Sequence, residues 1–271
     1  MATRRSVVVL VGLLVGMVTM VLGLRGAQAV PWTETTKLLA DDGAEGDWFG
    51  FSVSVSGTTG FVGAAFDDDC GDAAGAAYVF EDNGTDWVQL TKLLASDAGA
   101  VNGFGGSVSV NGATAAVGAY LDDCGTGSAY VFEKGVSGWT EAAKLTASDG
   151  VAGDEFGRSV FTDGTRAVVG AWADDDGGSD SGSAYVFEDN GTDWVQIAKL
   201  TASDGDNMDA FGFSVSVSGT TALVGAYDND DFGDSSGSAY IFEPIPEPTT
   251  LVLFGTGALA ILTHLRRRRR R

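Results

Sequence analysis

Residues 211–226 read FGFSVSVSGTTALVGA, and residues 238–243, a little further along, read SAYIFE. Apolar and polar side chains alternate from Phe213 to Ser218, which is the period of a β-strand with two unlike faces. A Gly-Thr-Thr turn leads into the apolar run from Ala222 to Ala226, and Ser238 to Glu243 is rich in aromatic and β-branched residues, which favour strands. This stretch therefore predicts three short strands joined by turns.

The same pattern occurs four times along the chain. Phe-Gly pairs begin at Phe49, Phe104, Phe156 and Phe211, with spacings of 55, 52 and 55 residues. The tryptophans Trp32, Trp87, Trp139 and Trp194 and the glycines of Val-Gly-Ala have the same three spacings, and the tyrosines of Ala-Tyr-(Val/Ile)-Phe are spaced 52, 55 and 55. A repeat of this length is typical of β-propeller blades. Trp194 to Leu200 predicts a fourth strand, and the Asn-Gly within Asp189 to Thr192 predicts a two-residue hairpin before it.

The strand count predicts how the repeats are arranged. The chain has a lone strand at its start, Trp32 to Leu38, and its last repeat lacks a fourth strand. We therefore predict an all-β protein: a β-propeller of four four-stranded blades over residues 30–243, closed by the N-terminal strand, which removes exposed sheet edges. Two other arrangements fit the same count, an open arc and a dimer that completes a larger ring.

Residues 1–29 have the features of a signal peptide. Arg4 and Arg5 precede an uncharged apolar stretch from Val7 to Leu24, and Ala27-Gln28-Ala29 forms a small-x-small cleavage site. We expect cleavage after Ala29. The alternative is an uncleaved anchor, because the apolar run is long enough to span a bilayer as a helix.

Residues 244–271 form a second terminal signal. Pro246-Glu247-Pro248 precedes a short apolar run from Leu251 to Leu265, which predicts a helix, and six arginines end the chain. This order resembles the PEP-CTERM sorting signal of Gram-negative bacteria. The resemblance implies a membrane-held intermediate, cleavage by an exosortase, and delivery to the cell surface or the extracellular matrix. An ordinary tail anchor is the alternative, but it leaves Pro-Glu-Pro unexplained.

The repeat itself resembles the FG-GAP family, known from the integrin alpha-subunit propeller and from bacterial surface proteins. The matching residues are Phe-Gly before the first strand and Val-Gly-Ala at the end of the second, over roughly residues 32–243. Integrin blades carry a calcium loop between these two strands. Here the connection is only Ser-Gly-Thr-Thr or similar, so the integrin calcium sites do not carry over.

The charge of the chain excludes some functions. Processing at both ends removes nine of the 16 basic residues and leaves seven against 37 acidic ones. Such a body repels nucleic acid and anionic membranes, so we expect contact with a membrane only through the terminal segments before processing. The one histidine, His264, lies in the sorting tail. The mature protein therefore has no histidine for acid–base chemistry, and we predict that it is not an enzyme.

The acidic residues concentrate in two kinds of loop. The connections between second and third strands and those between successive repeats share one face of a propeller, and they carry 25 of the 37 acidic residues. Hard oxygen ligands in Gly-rich loops suit Ca²⁺. The predicted ligands are Asp174, Asp176, Asp180, Asp228, Asp230 and Asp234. In the alternative interpretation these aspartates are turn residues that keep an exported protein soluble.

Cys70 and Cys124 occupy nearly equivalent loops of the first two repeats. Export permits a disulfide between them, but equivalent points on adjacent blades are often too far apart for one, so free thiols are the alternative.

Two functions remain from the sequence. The first is a non-enzymatic binding or adhesion module on the cell surface, calcium-dependent, whose partner is an extracellular polysaccharide or a surface protein. The second is a structural component of a matrix or biofilm without a discrete ligand.

Overall fold

A computed structural model of the chain describes residues 32–245. Its strands all lie in a compact unit that starts at Leu38. They are β1 (Phe49–Ser56), β2 (Thr59–Ala64), β3 (Ala76–Asp82), β4 (Trp87–Leu93), β5 (Phe104–Asn111), β6 (Thr114–Ala119), β7 (Ser128–Gly135), β8 (Gly138–Leu145), β9 (Ser159–Thr162), β10 (Arg166–Ala171), β11 (Ser183–Asp189), β12 (Trp194–Leu200), β13 (Phe211–Ser218), β14 (Thr221–Ala226) and β15 (Ser238–Phe242). The expected all-β architecture is confirmed.

The strands form four antiparallel sheets in chain order. The first sheet is β1 to β4, the second β5 to β8, the third β9 to β12 and the fourth β13 to β15, and neighbours in sequence are neighbours in each sheet. Each predicted repeat therefore forms one sheet, as expected for the blades of a propeller.

Turn residues set the strand register. Ser218 pairs with Thr221 across a two-residue turn whose first residue, Gly219, has a φ of 58°. Glycine adopts this left-handed conformation without steric cost. The link between β11 and β12 is longer than the Asn-Gly pair predicts, because Asp189 pairs with Trp194. The Asn190 side chain accepts hydrogen bonds from the backbone N–H groups of Thr192 and Asp193, which stabilises a four-residue loop instead.

Successive sheets pack through residues of the repeat motif. The hydroxyl of Ser52 donates to the backbone carbonyl oxygen of Gly105, in the Phe-Gly of the next sheet, at 2.7 Å. Gly63, in Val-Gly-Ala, makes room for this contact, since a Cβ there would lie 2.0 Å from the same oxygen. The contact recurs from Ser107 to Gly157 and from Ser159 to Gly212. The motif glycines therefore hold neighbouring sheets at a close distance.

The structure differs from the predicted closure by the N-terminal strand. The fourth sheet has three strands, and residues 32–40 form no strand. Within the described residues, the first and last sheets share no packed interface of the kind that joins successive sheets. Among residues 32–245 no fourth strand completes the last sheet, so the predicted closure is not found there. Leu38 and Ala40 instead pack against Val62, Tyr78 and Phe80 of the first sheet.

The connection between β6 and β7 contains a tight turn at residues 122–125, in which Asp123 and Cys124 have left-handed φ values of 49° and 60°. It replaces the longer acidic loop of the other repeats, because the second repeat is shorter at this point: Gly127 N–H bonds to the carbonyl of Asp122, whereas Gly75 N–H reaches back to Asp67. Between residues 32 and 245, no helix has the length and apolar character needed to cross a membrane. The predicted helices of the signal peptide and the sorting tail lie outside these residues, as do Ala27, Ala29, Pro246, Glu247 and Pro248.

Candidate functional site

A lysine surrounded by carboxylates lies at one end of the first sheet. Lys92 Nζ is 2.9 Å from Asp42 Oδ2 and 2.7 Å from Asp67 Oδ2, and it also pairs with Asp69. The Tyr78 hydroxyl lies 2.7 Å from Asp67 Oδ2 and 2.9 Å from Asp42 Oδ1. Asp42 comes from the loop before β1 and Asp67 from the loop between β2 and β3. The two kinds of acidic loop therefore share one face, as the sequence predicts.

Strand register places the lysine and the tyrosine side by side. Tyr78 and Lys92 are direct partners of the β3–β4 ladder, and Lys92 Nζ lies 5.2 Å from the centre of the Tyr78 ring. This is within range of a cation–π contact. Tyr78 is fully buried and packs edge-on against Phe49 of the Phe-Gly pair. The site is thus attached to the aromatic core of its own repeat.

The same group of residues recurs in the second and third sheets. Lys144 Nζ is 2.6 Å from Asp97 Oδ2 and 2.7 Å from Asp122 Oδ2, and Tyr130 lies beside it. Lys199 Nζ is 2.8 Å from Asp149 Oδ2 and 3.0 Å from Asp174 Oδ2, and it also pairs with Asp176. We call these three groups, centred on Lys92, Lys144 and Lys199, the lysine clusters.

The fourth sheet differs because it lacks the strand that carries the lysine. Asn229 stands where the other repeats have a buried aspartate, and it is itself buried. Its amide donates to Asp209 Oδ2 at 3.1 Å, and its oxygen accepts from the Ser238 hydroxyl. A neutral side chain at this position removes the need for a counter-charge, so the substitution fits the missing lysine.

Contacts within the lysine clusters shift the pKa values of the three lysines and of one partly exposed aspartate in each cluster. The hydrogen bond from Lys92 lowers the pKa of Asp42. Burial alone would raise the pKa of Asp149, but Lys199 and Tyr185 outweigh it, and the pKa is lowered. Burial likewise opposes the charge of Lys199, yet its carboxylate partners raise its pKa above the ordinary value. These carboxylates are therefore poor proton carriers near neutral pH.

The predicted calcium ligands do not come together as one set. Asp174 and Asp176 both bind Lys199, whose ammonium group occupies the place among the oxygens that a cation would take. The residues present therefore do not fit Ca²⁺ there. Asp180 lies apart from them, and its backbone N–H donates to Asp175. Among residues 32–245, no three acidic, histidine or cysteine side chains form a group suited to a metal ion.

The loop of the fourth repeat holds the other three predicted ligands, Asp228, Asp230 and Asp234, and no lysine pairs with them in the described part of the chain. Asp230 Oδ1 accepts a hydrogen bond from Ser235 N–H at 2.7 Å. Asp68 and Asp175 make the same turn contact with Ala73 and Asp180. Asp68, Asp175 and Asp230 therefore have a structural role in their loops, and all three side chains are exposed.

Cys70 and Cys124 are both exposed and not disulfide-bonded. Cys124 borders a depression of about 650 Å³ between loops of the second and third sheets, which Asp123 and Glu155 also line. Of the two alternatives, a disulfide or two free thiols, the structure contains free thiols.

Sequence reasoning missed the lysine clusters, although the sequence holds a signal for them. Each tryptophan that opens a fourth strand is followed five residues later by a lysine, and each lysine five residues later by an aspartate, as in Trp139, Lys144 and Asp149. Alternation within the strand places the lysine on the face of the tyrosine. The pattern does not show which aspartate binds each lysine. Lys144 binds Asp97, from the loop between β4 and β5, and not Asp149, which follows it by five residues.

Comparisons with known proteins agree with the repeat and with the tail. The family model described as FG-GAP repeat matches residues 32–80, 87–132, 139–187 and 194–242. The model described as PEP-CTERM protein-sorting motif matches residues 244–270. No curated protein matches the sequence. Among solved structures, the crystal structure of Saccharomyces cerevisiae Sqt1 is similar over 68% of this chain and 44% of that one, with 11% identity and a TM-score of 0.43. The chain thus spans less than half the length of that protein.

Proposed function

The chain belongs to the FG-GAP repeat family and carries a PEP-CTERM sorting motif, and on that basis we propose that it is a binding or adhesion module displayed outside a Gram-negative cell. The motif supports export to the bacterial surface and processing by exosortase-type machinery. In our proposal the chain is held in the membrane through its terminal segments, cut near Pro246 to Pro248, and released to the surface or matrix. The sorting motif is the observation that carries this proposal.

The surface that we assign to binding is the acidic face, which comprises the loops between second and third strands together with the loops that join successive repeats. Its buried carboxylates are neutralised by the lysine clusters, but Asp68, Asp72, Asp175 and Asp230 are exposed. An array of fixed charges in neighbouring repeats favours a long, repetitive partner that offers cationic groups or bound cations. An extracellular polysaccharide or a surface protein fits this description.

We propose calcium dependence for the fourth repeat. Asp228, Asp230 and Asp234 crowd like charges in one loop, and a divalent ion relieves such repulsion. The described residues of this loop do not form a complete set of calcium ligands. In our proposal the ion therefore also binds acidic groups of the partner and so links the partner to this loop. Calcium would then strengthen binding to the partner more than it stabilises the free protein.

We also propose that the protein is not an enzyme. A carboxyl group that acts as a general acid or base needs a pKa near the working pH. Lysine partners lower the pKa of Asp42, Asp97 and Asp149 instead. The lowered pKa values of these three carboxyl groups are further from neutral pH than the value of a free aspartate, so the groups are less suited to proton transfer there.

A structural matrix component without a discrete ligand is the second candidate. It is favoured by the exposed apolar side chains on the outer faces of the first and last sheets, since building blocks of a matrix need surfaces for contact with one another. Saturable binding to one glycan or protein supports the binding module. Retention in isolated matrix without saturation supports the structural component.

Export is tested by intact-mass analysis of the chain recovered from outside the cells that produce it. We expect a product that begins at Val30 and ends at or near Pro246 to Pro248. Replacing Pro246-Glu247-Pro248 by three alanines should leave the chain unprocessed and membrane-bound. A released product that retains the terminal arginines contradicts the proposal.

Binding is tested with two triple variants that carry equal charge changes. Asp68→Asn, Asp175→Asn and Asp230→Asn keep the acceptor oxygens of the loop turns and remove three charges from the acidic face. Asp82→Asn, Asp189→Asn and Asp193→Asn make the same change in turns at the opposite end of the sheets. Binding to isolated surface polysaccharide, with calcium and with a chelator, should fall only for the first variant. An equal loss for both contradicts a role for the acidic face.

A further inference from the structure

Each sheet has a leading face, which meets the preceding sheet, and a trailing face, which meets the next one. Valines of the first strand form the leading face. In the second sheet Val108 and Val110 are only 8% and 6% exposed, because they pack with the buried residues of the first sheet. Their equivalents in the first sheet, Val53 and Val55, are 70% and 67% exposed. Leu38 and Ala40 pack against Val62, Tyr78 and Phe80 of this sheet, but within the described residues nothing covers Val53 and Val55. The valine half of the leading face is thus built for a contact that it does not make there.

The trailing face of the last sheet is its counterpart. Phe61 and Val79 of the first sheet are fully buried beneath the second sheet. The residues at the same positions of the fourth sheet are Leu223 and Ile241, which are 45% and 70% exposed. Apolar side chains remain at both positions even though no further sheet covers them. The two uncovered faces are therefore the two halves of one interface that the chain makes three times internally.

Each outer face also carries one of the two partners of the polar contacts found at that interface. In the first three sheets a serine hydroxyl donates to the carbonyl of the Phe-Gly glycine of the next sheet. Ser214 occupies this position in the fourth sheet, and its hydroxyl has no such acceptor among residues 32–245. Gly225 occupies the same motif position as Gly118. An added Cβ at Gly225 would make one close contact, with the side chain of Ser214, because no backbone of a further sheet lies there among the described residues. Gly50, at the leading face, offers the matching carbonyl.

The free edge of β15 points to the same partner. A cavity of about 270 Å³ lies between the third sheet and this edge, lined by Ile197, Leu200 and Phe242 among others. In the second sheet the fourth-strand tryptophan, Trp139, packs on Phe61 of the sheet before it, with ring centres 4.9 Å apart. Residues 32–38 repeat the fourth-strand pattern, with a tryptophan followed five residues later by Lys37. Any chain that offers its leading face also brings this segment.

We propose that the chain assembles head to tail with a second copy of itself. The leading face of the incoming first sheet docks on the trailing face of the last sheet, and residues 32–38 of the incoming copy pair with β15 as its fourth strand. The inference is independent of the proposed function, because it follows from the repeated interface alone. Contacts between unlike faces continue from copy to copy, so they form either a ring or a filament.

Site-directed cross-linking tests the geometry. The Ser54 hydroxyl accepts from Val110 N–H at 3.0 Å across the first interface, and the same positions at the ends of the array are Ser216 and Val55. Two copies with different tags are produced in the same cells, both with Cys70→Ser and Cys124→Ser. One carries Ser216→Cys and the other Val55→Cys. A short thiol-specific cross-linker should then join the two tags in one species of twice the mass.

The matched control is a single chain with Ser54→Cys and Val110→Cys, which reports the same contact inside one molecule. Absence of the two-tag species while this control reacts overturns the proposal. So does a chain with both Ser216→Cys and Val55→Cys that cross-links only internally, since that result means closure of one chain on itself.

A second measurement does not depend on cysteine chemistry. Val53→Asp with Val55→Asp charges the leading face, and the monomer should still fold because both side chains are already exposed. Sedimentation of the exported chain should show multimers for the parent and their loss in this variant. Val136→Asp changes a fully exposed valine in a distant turn and should keep the multimers. Multimers that survive in the first variant contradict head-to-tail docking.

Discussion

The hydroxyl of Ser107 donates a hydrogen bond to the backbone carbonyl oxygen of Gly157, 2.8 Å away, across the interface between the second and third sheets. The serine comes from an alternating strand and the glycine from the Phe-Gly pair of the next repeat. Gly118, in Val-Gly-Ala, lies directly beneath this contact. The residues by which the repeat is recognised are therefore the residues that join one repeat to the next.

Gly118→Ala should destabilise the protein strongly. The new Cβ would lie 1.9 Å from the Gly157 carbonyl oxygen and 2.4 Å from Ser107 Oγ, so the sheets would have to separate. Overpacking against a backbone atom, together with the lost hydrogen bond, should lower the free energy of unfolding by about 3 kcal/mol. Denaturant unfolding, followed by tryptophan fluorescence, measures the change.

Gly225→Ala is the matched control for this prediction. It changes the same motif position in the last sheet, where the close contact would be with a serine side chain that can rotate away. At protein concentrations too low for assembly it should lower the free energy of unfolding by less than about 1 kcal/mol. Equal losses for the two variants would show that the interface between sheets is not the cause.

Lys199→Met should leave a buried carboxylate without its counter-charge. Asp174 is almost fully buried, whereas Asp149 and Asp176 are partly exposed and can be solvated. We therefore expect a loss of about 2 kcal/mol, below the range for removing one partner of a fully buried pair. Thermal and denaturant unfolding give the value.

Adding Asp174→Asn should restore much of that loss. The fourth repeat already has this combination, with Asn229 in place of the aspartate and no lysine beside it. Lys37 follows a tryptophan by five residues, as the lysines of the fourth strands do, but it is exposed. Lys37→Met should therefore leave the free energy of unfolding of the monomer unchanged. If the double variant is less stable than Lys199→Met alone, the explanation by charge neutralisation is wrong.

Stability should fall above about pH 10, where free lysine and tyrosine side chains titrate. The carboxylates raise the pKa of Lys92, Lys144 and Lys199. A raised pKa stabilises the fold below the unfolded-state value, and this contribution is lost as the pH rises through the folded-state value. Burial raises the pKa of Tyr185 and acts in the same direction. Denaturant unfolding at pH 8 to 11 measures the effect.

The double variant Lys199→Met, Asp174→Asn should show a smaller alkaline loss, because one of three clusters no longer contributes. On the acid side, the lowered pKa values of Asp42, Asp97 and Asp149 contribute stability that is lost as the pH falls below about 4. Asp154 acts in the opposite direction, since burial raises its pKa. Unfolding at alkaline pH is therefore the decisive measurement. If the free energy of unfolding falls equally with pH in the parent and in the double variant, the role assigned to the lysine clusters is contradicted.

Calcium should raise the melting temperature of the free protein only slightly, and through the fourth repeat. Binding to the folded state stabilises it by an amount set by the ion concentration relative to the dissociation constant. Melting is compared with calcium, magnesium and a chelator at equal ionic strength, because monovalent salt also screens the repulsion. Asp230→Asn should abolish the shift, and Asp176→Asn, at a lysine-bound carboxylate, should leave it. A shift that persists in Asp230→Asn places the ion elsewhere.

The sequence by itself determined the repeat, the strand order within each sheet and the face that carries the acidic loops. These are local properties: alternation in Phe213 to Ser218 defines a strand, and glycines such as Gly219 define the turns. It also contained the sorting motif at residues 244–270, which is contiguous in the chain, whereas the signal peptide stays a prediction. The four-residue loop after Asp189 was misjudged because Asn190 stabilises it through its side chain, which the Asn-Gly dipeptide alone does not reveal.

Only the tertiary structure decided what neutralises the acidic residues and where the array ends. Lys144 binds Asp97, 47 residues earlier in the chain, so the pairing depends on how the loops of one repeat meet the strands of the next. The outer faces at Val53 and Ile241 carry the same residue types as the buried interfaces, and composition therefore cannot tell covered from uncovered. Burial of a face depends on a second surface being brought to it, which is a property of the packed chain and not of any one repeat.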